Sequence, residues 1–193
     1  MAPPKQPERR TALLDGTVEF LLDHGVRGFS LSPVSAALQT SPRMLLYHFG
    51  DKDLLINEAI ETARSRHVAL LTGWLAPHAG VPYRQILSSF WPKFSSRPAQ
   101  RYNRLFAEVS ALSTQPGSPF AAFGPRTVTD WLAVATSGFA LEGHDHQTAE
   151  AHATIALALI RGLFLDLNAT GHRARVERAS RLLDVVLSGL EPN

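Results

Sequence analysis

Apolar residues recur at three- and four-residue intervals along most of the chain, and the intervals break at a few well-marked places. Leu13, Leu14, Thr17, Val18, Leu21 and Leu22 give a helical stripe from about Glu8 to His24. Gly25 stands where a C-terminal cap belongs. The stretch from Ser30 to Leu55 then reads SLSPVSAALQTSPRMLLYHFGDKDLL. Ser30 or Ser32 caps a short helix over Val34, Ala37 and Leu38. Ser41 and Pro42 supply a capping hydroxyl and the residue best tolerated at a first helical position. Gly50 ends this second helix, Pro42 to Phe49, and Asp51 opens a longer one to about Leu71. Two short helices held at an angle by a tight turn form the helix-turn-helix that enters a DNA major groove.

Beyond this motif the pattern stays helical. Trp74 to Pro82 carries two prolines and a glycine and reads as a connection. Helices are expected over Tyr83 to Ser95, Pro98 to Ser113, Arg126 to Leu141, Thr148 to Ala169 and Arg173 to Leu190. Gln115 to Pro125 and Glu142 to His146 are loops, and Thr170-Gly171-His172 separates the last two helices. Met1 to Pro7, with three prolines, reads as a disordered arm. No strand alternates with period two, and no internal repeat stands out. The expected fold class is all-α, with a three-helix head at residues 1–56 (motif about 30–49) and a larger helical body at residues 57–193.

Composition sharpens this picture at a few points. The 193 residues include no cysteine, which excludes disulfides, zinc ribbons and thiol catalysis. The first residues lack the apolar run of a signal peptide. The richest apolar run, Thr154 to Leu167, is interrupted by Arg161 and Asp166, so no membrane span is expected and the chain reads as cytoplasmic. Net charge is only +2, but no Asp or Glu occurs from His24 through Gly50, where Arg27 and Arg43 do. A surface that approaches phosphates is expected to be free of carboxylates. His144-Asp145-His146 has the right side chains for a metal, yet it is a sparse set in a polar loop and no metal site is assigned. No phosphate-binding glycine loop or nucleophile elbow occurs, and no enzyme activity or cofactor is expected.

The motif resembles that of the tetracycline-repressor (TetR) family of bacterial regulators over about Arg9 to Glu58. The family's pattern places a capping Ser before the recognition helix, then Leu-Tyr-x-His-Phe, one or two small residues, Lys and an apolar pair. Ser41, Leu45, His48, Phe49, Lys52 and Leu54-Leu55 match in register. The family's Tyr is replaced by Leu46, and Tyr47 takes the next position. Gln39-Thr40 replaces the usual Gly-Val, which implies a strained left-handed backbone at Gln39. The resemblance implies a DNA-binding transcriptional regulator, usually a repressor, that acts as a homodimer on a palindromic operator and is released by a small apolar or amphipathic effector. It also implies association with the nucleoid.

Residues follow for each role. Arg43, Met44, Tyr47 and His48 are expected at exposed positions of the second helix, Arg43 for guanine edges or phosphate, Met44 or Tyr47 for thymine methyls. Ser32, Ser41, Pro42 and Lys52 complete the candidate DNA contacts, Lys52 toward phosphate. Trp74, Phe90, Phe94 and Tyr102 are candidate effector contacts. Phe106, Phe123 and Trp131 join them, although aromatics of a packed core look the same in sequence. Ala156, Ile160, Leu163 and Leu167, with Leu183 and Val186, form the apolar stripes expected at a dimer interface made by the last two helices. A regulator without a small-molecule effector, controlled by a partner protein, is the alternative, and an all-α enzyme with an accidental helix-turn-helix pattern is a remoter one.

Overall fold

The computed structural model describes residues 7–75, 78, 80, 81 and 83–188. The expected arm lies outside them except for Pro7, as do part of the Trp74–Pro82 connection and Leu190. Ten helices and no strand are found among the described residues. They are α1 (Pro7–His24), α2 (Leu31–Ala37), α3 (Pro42–Phe49), α4 (Lys52–Leu75), α5 (Tyr83–Phe94), α6 (Arg97–Ser113), α7 (Phe123–Ala140), α8 (His146–Thr170), α9 (Arg173–Ser180) and α10 (Leu183–Ser188). The all-α expectation is met, and α3 has the bounds read from its sequence.

The chain divides into two compact units, Met1–Leu71 with Arg104–Gly124, and Thr72–Asn103 with Pro125–Asn193. In the first unit, Leu13 of α1, Val34 of α2, Leu45 and Phe49 of α3 and Leu55 of α4 form one buried cluster. Leu14, Phe20, Phe29, Leu31 and Leu38 pack around it. Each short helix thus contributes one or two large apolar groups to a shared core. That is how helices too short to persist alone become stable.

His67 of α4 is buried in this same unit, its ring edge-on to Phe106 of α6 at 5.4 Å. Burial pushes its pKa down to about 4, so the folded unit holds it neutral. Above pH 6.5 the ring is neutral folded or unfolded and contributes no pH dependence. As pH falls from 6.5 toward 4 the unfolded chain takes up a proton that the fold refuses, and stability declines. The expected loss is on the order of 3 kcal/mol. Chemical denaturation of wild type and His67→Leu at pH 7 and pH 4.5 should show the wild type losing distinctly more. Equal losses in the two proteins would mean that the ring protonates freely in the fold.

In the second unit α10 packs chiefly on α5, and α8 packs on α9 and α10. Tyr83 of α5 lies against α7 at Gly138, where a Cβ would meet the Tyr83 ring at 2.5 Å. Arg173 of α9 donates to the Ser95 carbonyl at 3.0 Å and so ties α9 to the end of α5. The final helix, expected unbroken from Arg173 to Leu190, is interrupted after Ser180. There the Leu182 N–H bonds to the Ala179 carbonyl, a tighter turn than the α-helical one, and Ser180 donates its hydroxyl back to the Glu177 carbonyl. Side-chain competition of this kind weakens a helix at a serine.

Helix α8 departs from expectation in another way. It is continuous, as expected, but even with Arg161 and Asp166 in its apolar run it is long and apolar enough to cross a membrane by length and composition, where no such span was expected. Ala149, His152, Ala153, Ala156, Leu157, Ile160, Phe164 and Leu167 form a face buried within the chain. Only 28% of its most apolar stretch is buried, however. On the other face Ala151, Ile155, Ala158, Gly162, Leu165 and Ala169 follow one another at intervals of four and three residues, all exposed. Leu182, just before α10, and Val185 and Val186 within it are exposed as well.

Candidate nucleic-acid interface

Ser41 has an extended backbone, and its hydroxyl accepts the Met44 N–H at 3.3 Å. Pro42 occupies the first helical position, where no N–H is needed. Gly50 closes α3 with φ +90°, and its N–H bonds to the Leu46 carbonyl at 2.8 Å. Asp51 starts α4 at once by accepting the Leu54 N–H at 2.8 Å. Of the two serines able to cap α2, Ser30 takes the position, though its side chain makes no capping bond. Ser32 stands exposed in the first turn, and its carbonyl accepts the buried Ser35 hydroxyl at 2.9 Å. The turn between α2 and α3 places Gln39 at φ +49°, the left-handed backbone read from the sequence. The Thr40 N–H to Ser35 carbonyl bond, 2.9 Å, helps hold it there.

Arg43 and Met44 are exposed on α3, and Tyr47 is half-buried. Leu46, where the resemblance implies a tyrosine, is exposed beside them. Leu45, His48 and Phe49 lie on the opposite, buried face. His48 therefore departs from expectation. Its ring is 4% exposed, edge-on to Tyr47 at 5.1 Å, and does not share the outer face with Arg43. Position 48 follows Leu45 by three residues and so lands on the same side of the helix as that core leucine. Lys52, exposed in the first turn of α4, has Asp53 Oδ1 3.9 Å from its ammonium. So distant an exposed pair leaves the lysine available for a stronger anion.

A group that sequence reading missed fixes the far end of α3. Arg10 of α1 grips the Glu58 carboxylate of α4 with two bonds, 2.8 and 2.6 Å. Its Nε donates to the His48 carbonyl at 3.3 Å, and the guanidinium lies 4.6 Å from the Phe49 ring centroid. The hydrogen bond to Glu58 raises the Arg10 pKa above its already high ordinary value, so the charge is permanent. One side chain thus links α1, the last turn of α3 and α4. Arginine suits this role because its planar fork serves a carboxylate and a ring face together.

The candidate effector residues fall into two groups. Phe106 and Phe123 belong to the first unit, with ring centroids 5.5 Å apart. Trp74, Phe90, Phe94, Tyr102 and Trp131 belong to the second. There the Trp74 ring lies tilted against Phe90 at 4.7 Å and Phe90 tilted against Phe94 at 3.4 Å, while Phe94 stacks on Phe164 at 5.5 Å. Trp91, stacked on Phe164 at 5.1 Å, extends this cluster. Tyr102 and Trp131 are half-buried. Among the dimer candidates, Ala156, Ile160, Leu167 and Leu183 are buried within the single chain, Leu163 is half-buried, and Val186 is exposed. Asp145, in the polar loop considered for a metal, caps α8 by accepting the Thr148 N–H at 2.9 Å. No group of three metal-ligating side chains occurs among the described residues.

No protein-family model matches the sequence, and no curated protein matches it. Solved structures do. A TetR-family transcriptional regulator from Cytophaga hutchinsonii superposes with a TM-score of 0.80 at 15% identity, over 100% of both chains. The chain has the TetR-regulator fold. A protein from Rhodococcus sp., described as a putative TetR-family transcriptional regulator, matches with a TM-score of 0.66 at 21% identity, over 94% of this chain and 96% of that one. NalD of Pseudomonas aeruginosa, described as the secondary repressor of the MexAB-OprM multidrug efflux pump, matches with a TM-score of 0.61 at 18% identity. That match covers 95% of this chain and 97% of NalD. In this fold α2 and α3 form the helix-turn-helix, α3 being its second helix.

Proposed function

We propose that the protein is a sequence-specific DNA-binding transcriptional regulator that acts in the cytoplasm, on the nucleoid, as a repressor. Residues 1–56 would read one half of a palindromic operator, and residues 57–193 would carry the twofold contact and an effector site. The observation that carries this reading is the two-sided construction of α3. Leu45, His48 and Phe49 root it in the core while Arg43, Met44, Leu46 and part of Tyr47 remain outside. A helix held this way can be laid in a major groove without loss of its own packing. The sign of regulation is supported only by analogy with NalD, which is described as a repressor.

Selection of bound duplexes from random DNA tests the reading. A palindromic sequence with half-sites about 34 Å apart, or a multiple of that, is expected. Arg43→Ala should weaken binding to that duplex by about 1–3 kcal/mol and relax choice at one base pair of each half-site. Lys52→Ala should weaken all duplexes alike and reduce the salt dependence by about one unit per subunit. No enrichment by the wild type, with both variants inert, would remove the assignment.

For the effector, the aromatic content of the body supports a small apolar or amphipathic molecule that stabilises a form unsuited to DNA. The close ring contacts from Trp74 through Phe94 to Phe164 favour the alternative, a regulator answering to a partner protein. Tryptophan quenching together with a raised melting temperature in a screen of hydrophobic metabolites would decide for the small molecule.

A further inference from the structure

The stretch from His24 to Gly50 contains no carboxylate of its own, yet one reaches it from far along the chain. Glu108 of α6 accepts the Val26 N–H at 3.0 Å through one oxygen and the Arg27 N–H at 2.8 Å through the other. These amides follow Gly25, which has φ +75° and ends α1. Successive N–H groups after a left-handed residue form a concave anion site, and here a side chain of the same protein fills it. The fit is close. A Cβ on Gly25 would come within 2.4 Å of Glu108 Oε2, so the loop backbone and the carboxylate meet without room for a side chain. The Arg27 guanidinium, 3.9 Å from the other oxygen, adds a weaker attraction.

The loop so held, residues 25–30, leads directly into α2, and α2 packs on α3. Displacing α6 by an ångström or so would take both bonds beyond hydrogen-bonding distance. Helix α6 has its first residues, Arg97 to Asn103, in the second compact unit and Arg104 to Ser113 in the first. We propose that Glu108 is a positioning residue for DNA reading, its carboxylate fixing the loop that sets α2 and α3 in reading geometry. This rests on the DNA-binding function proposed above. The residue touches no DNA in this role. It makes the geometry of the head depend on where α6 stands.

The test uses the full-length protein and the duplex selected by the wild type. Glu108→Ala and the near-isosteric Glu108→Gln should bind that duplex about ten- to hundredfold more weakly, the range expected when bonds to a charged group are lost. Binding to scrambled duplex should stay unchanged, which a general loss of fold would not allow. Hydrogen exchange at the Val26 and Arg27 amides should quicken in the free variants. Gly25→Ala should mimic them by driving the carboxylate out, and combining it with Glu108→Ala should cost clearly less than the product of the two single effects. Wild-type affinity and wild-type exchange in both Glu108 variants would overturn the proposal while leaving DNA binding intact. Failure of the wild type to select any duplex would instead overturn the DNA-binding function, and this role with it.

Discussion

Leu45→Ala is expected to cost the first unit about 2–5 kcal/mol and to abolish DNA binding at ordinary temperatures. Leu45 is 0% exposed and shares its cluster with Leu13, Val34, Phe49 and Leu55, one or two residues from each of four helices. Truncation leaves a cavity that these neighbours, fixed on helix backbones, can fill only in part. Domains are stable by only about 5–15 kcal/mol, so the loss is a large share of the total. Circular dichroism should record a melting midpoint lower by on the order of 10 °C or more. Arg43→Ala, two residues earlier and exposed, should leave the midpoint within a degree or two and lose only specific binding. The pair separates the rooted side of α3 from its outer side. A normal melt for Leu45→Ala would mean that α3 is not anchored where this packing places it.

What could be read from the sequence was mostly local. Ser41, Pro42 and Gly50 act on backbone groups within four residues, so they set the ends of α3 whatever surrounds them. The left-handed turn at Gln39 was legible for the same reason. The misreadings concern which side of a helix faces inward and which distant groups meet. His48 was placed among the outer residues of α3, although its three-residue spacing from Leu45 already puts it on the core side. The Arg10–Glu58 and Glu108–loop contacts join residues 48 and 82 positions apart, and each side chain alone looks like an ordinary surface charge. The interruption between α9 and α10 falls beside Ser180, which bonds its own helix, but Ser89 makes the same bond inside the unbroken α5, so a serine alone does not mark a break.

Helix α8 shows the limit most clearly. Ala156, Ile160, Leu163 and Leu167 step by four, three and four residues, a good apolar seam, and Ile155, Ala158, Gly162 and Leu165 step by three, four and three, an equally good one. Hydrophobic spacing alone cannot rank two adjacent seams on one helix. The ranking comes from the neighbours. With α9 and α10 packed on one side, Ala156, Ile160 and Leu167 go inward and Ile155 and Leu165 are left outside. Both seams are apolar for a reason if one closes the chain on itself and the other closes it on a second copy.

Leu165→Glu is therefore expected to break the homodimer that the proposed function requires. Leu165 is 65% exposed in the single chain, in line with Ile155 and flanked by Ala158, Gly162 and Ala169. These small residues would let a second α8 approach closely, and the exposed Leu182, with Val185 and Val186 of α10, would complete a four-helix contact. A contiguous exposed apolar surface is the kind that a protein contact covers. Twofold symmetry puts each substitution into the interface twice, with two unpaired carboxylates. Dissociation should strengthen by at least about a hundredfold. Each freed subunit should keep its melting cooperativity, because Leu165 contributes little to its own core. Ile160→Glu, on the buried seam, should unfold the second unit instead. Sedimentation of the wild type at micromolar concentration should give twice the chain mass, and of Leu165→Glu a folded monomer. A wild-type monomer would remove the dimer and leave a palindromic operator without support. Capture of that monomer by lipid vesicles would identify a membrane surface as what covers the outer seam.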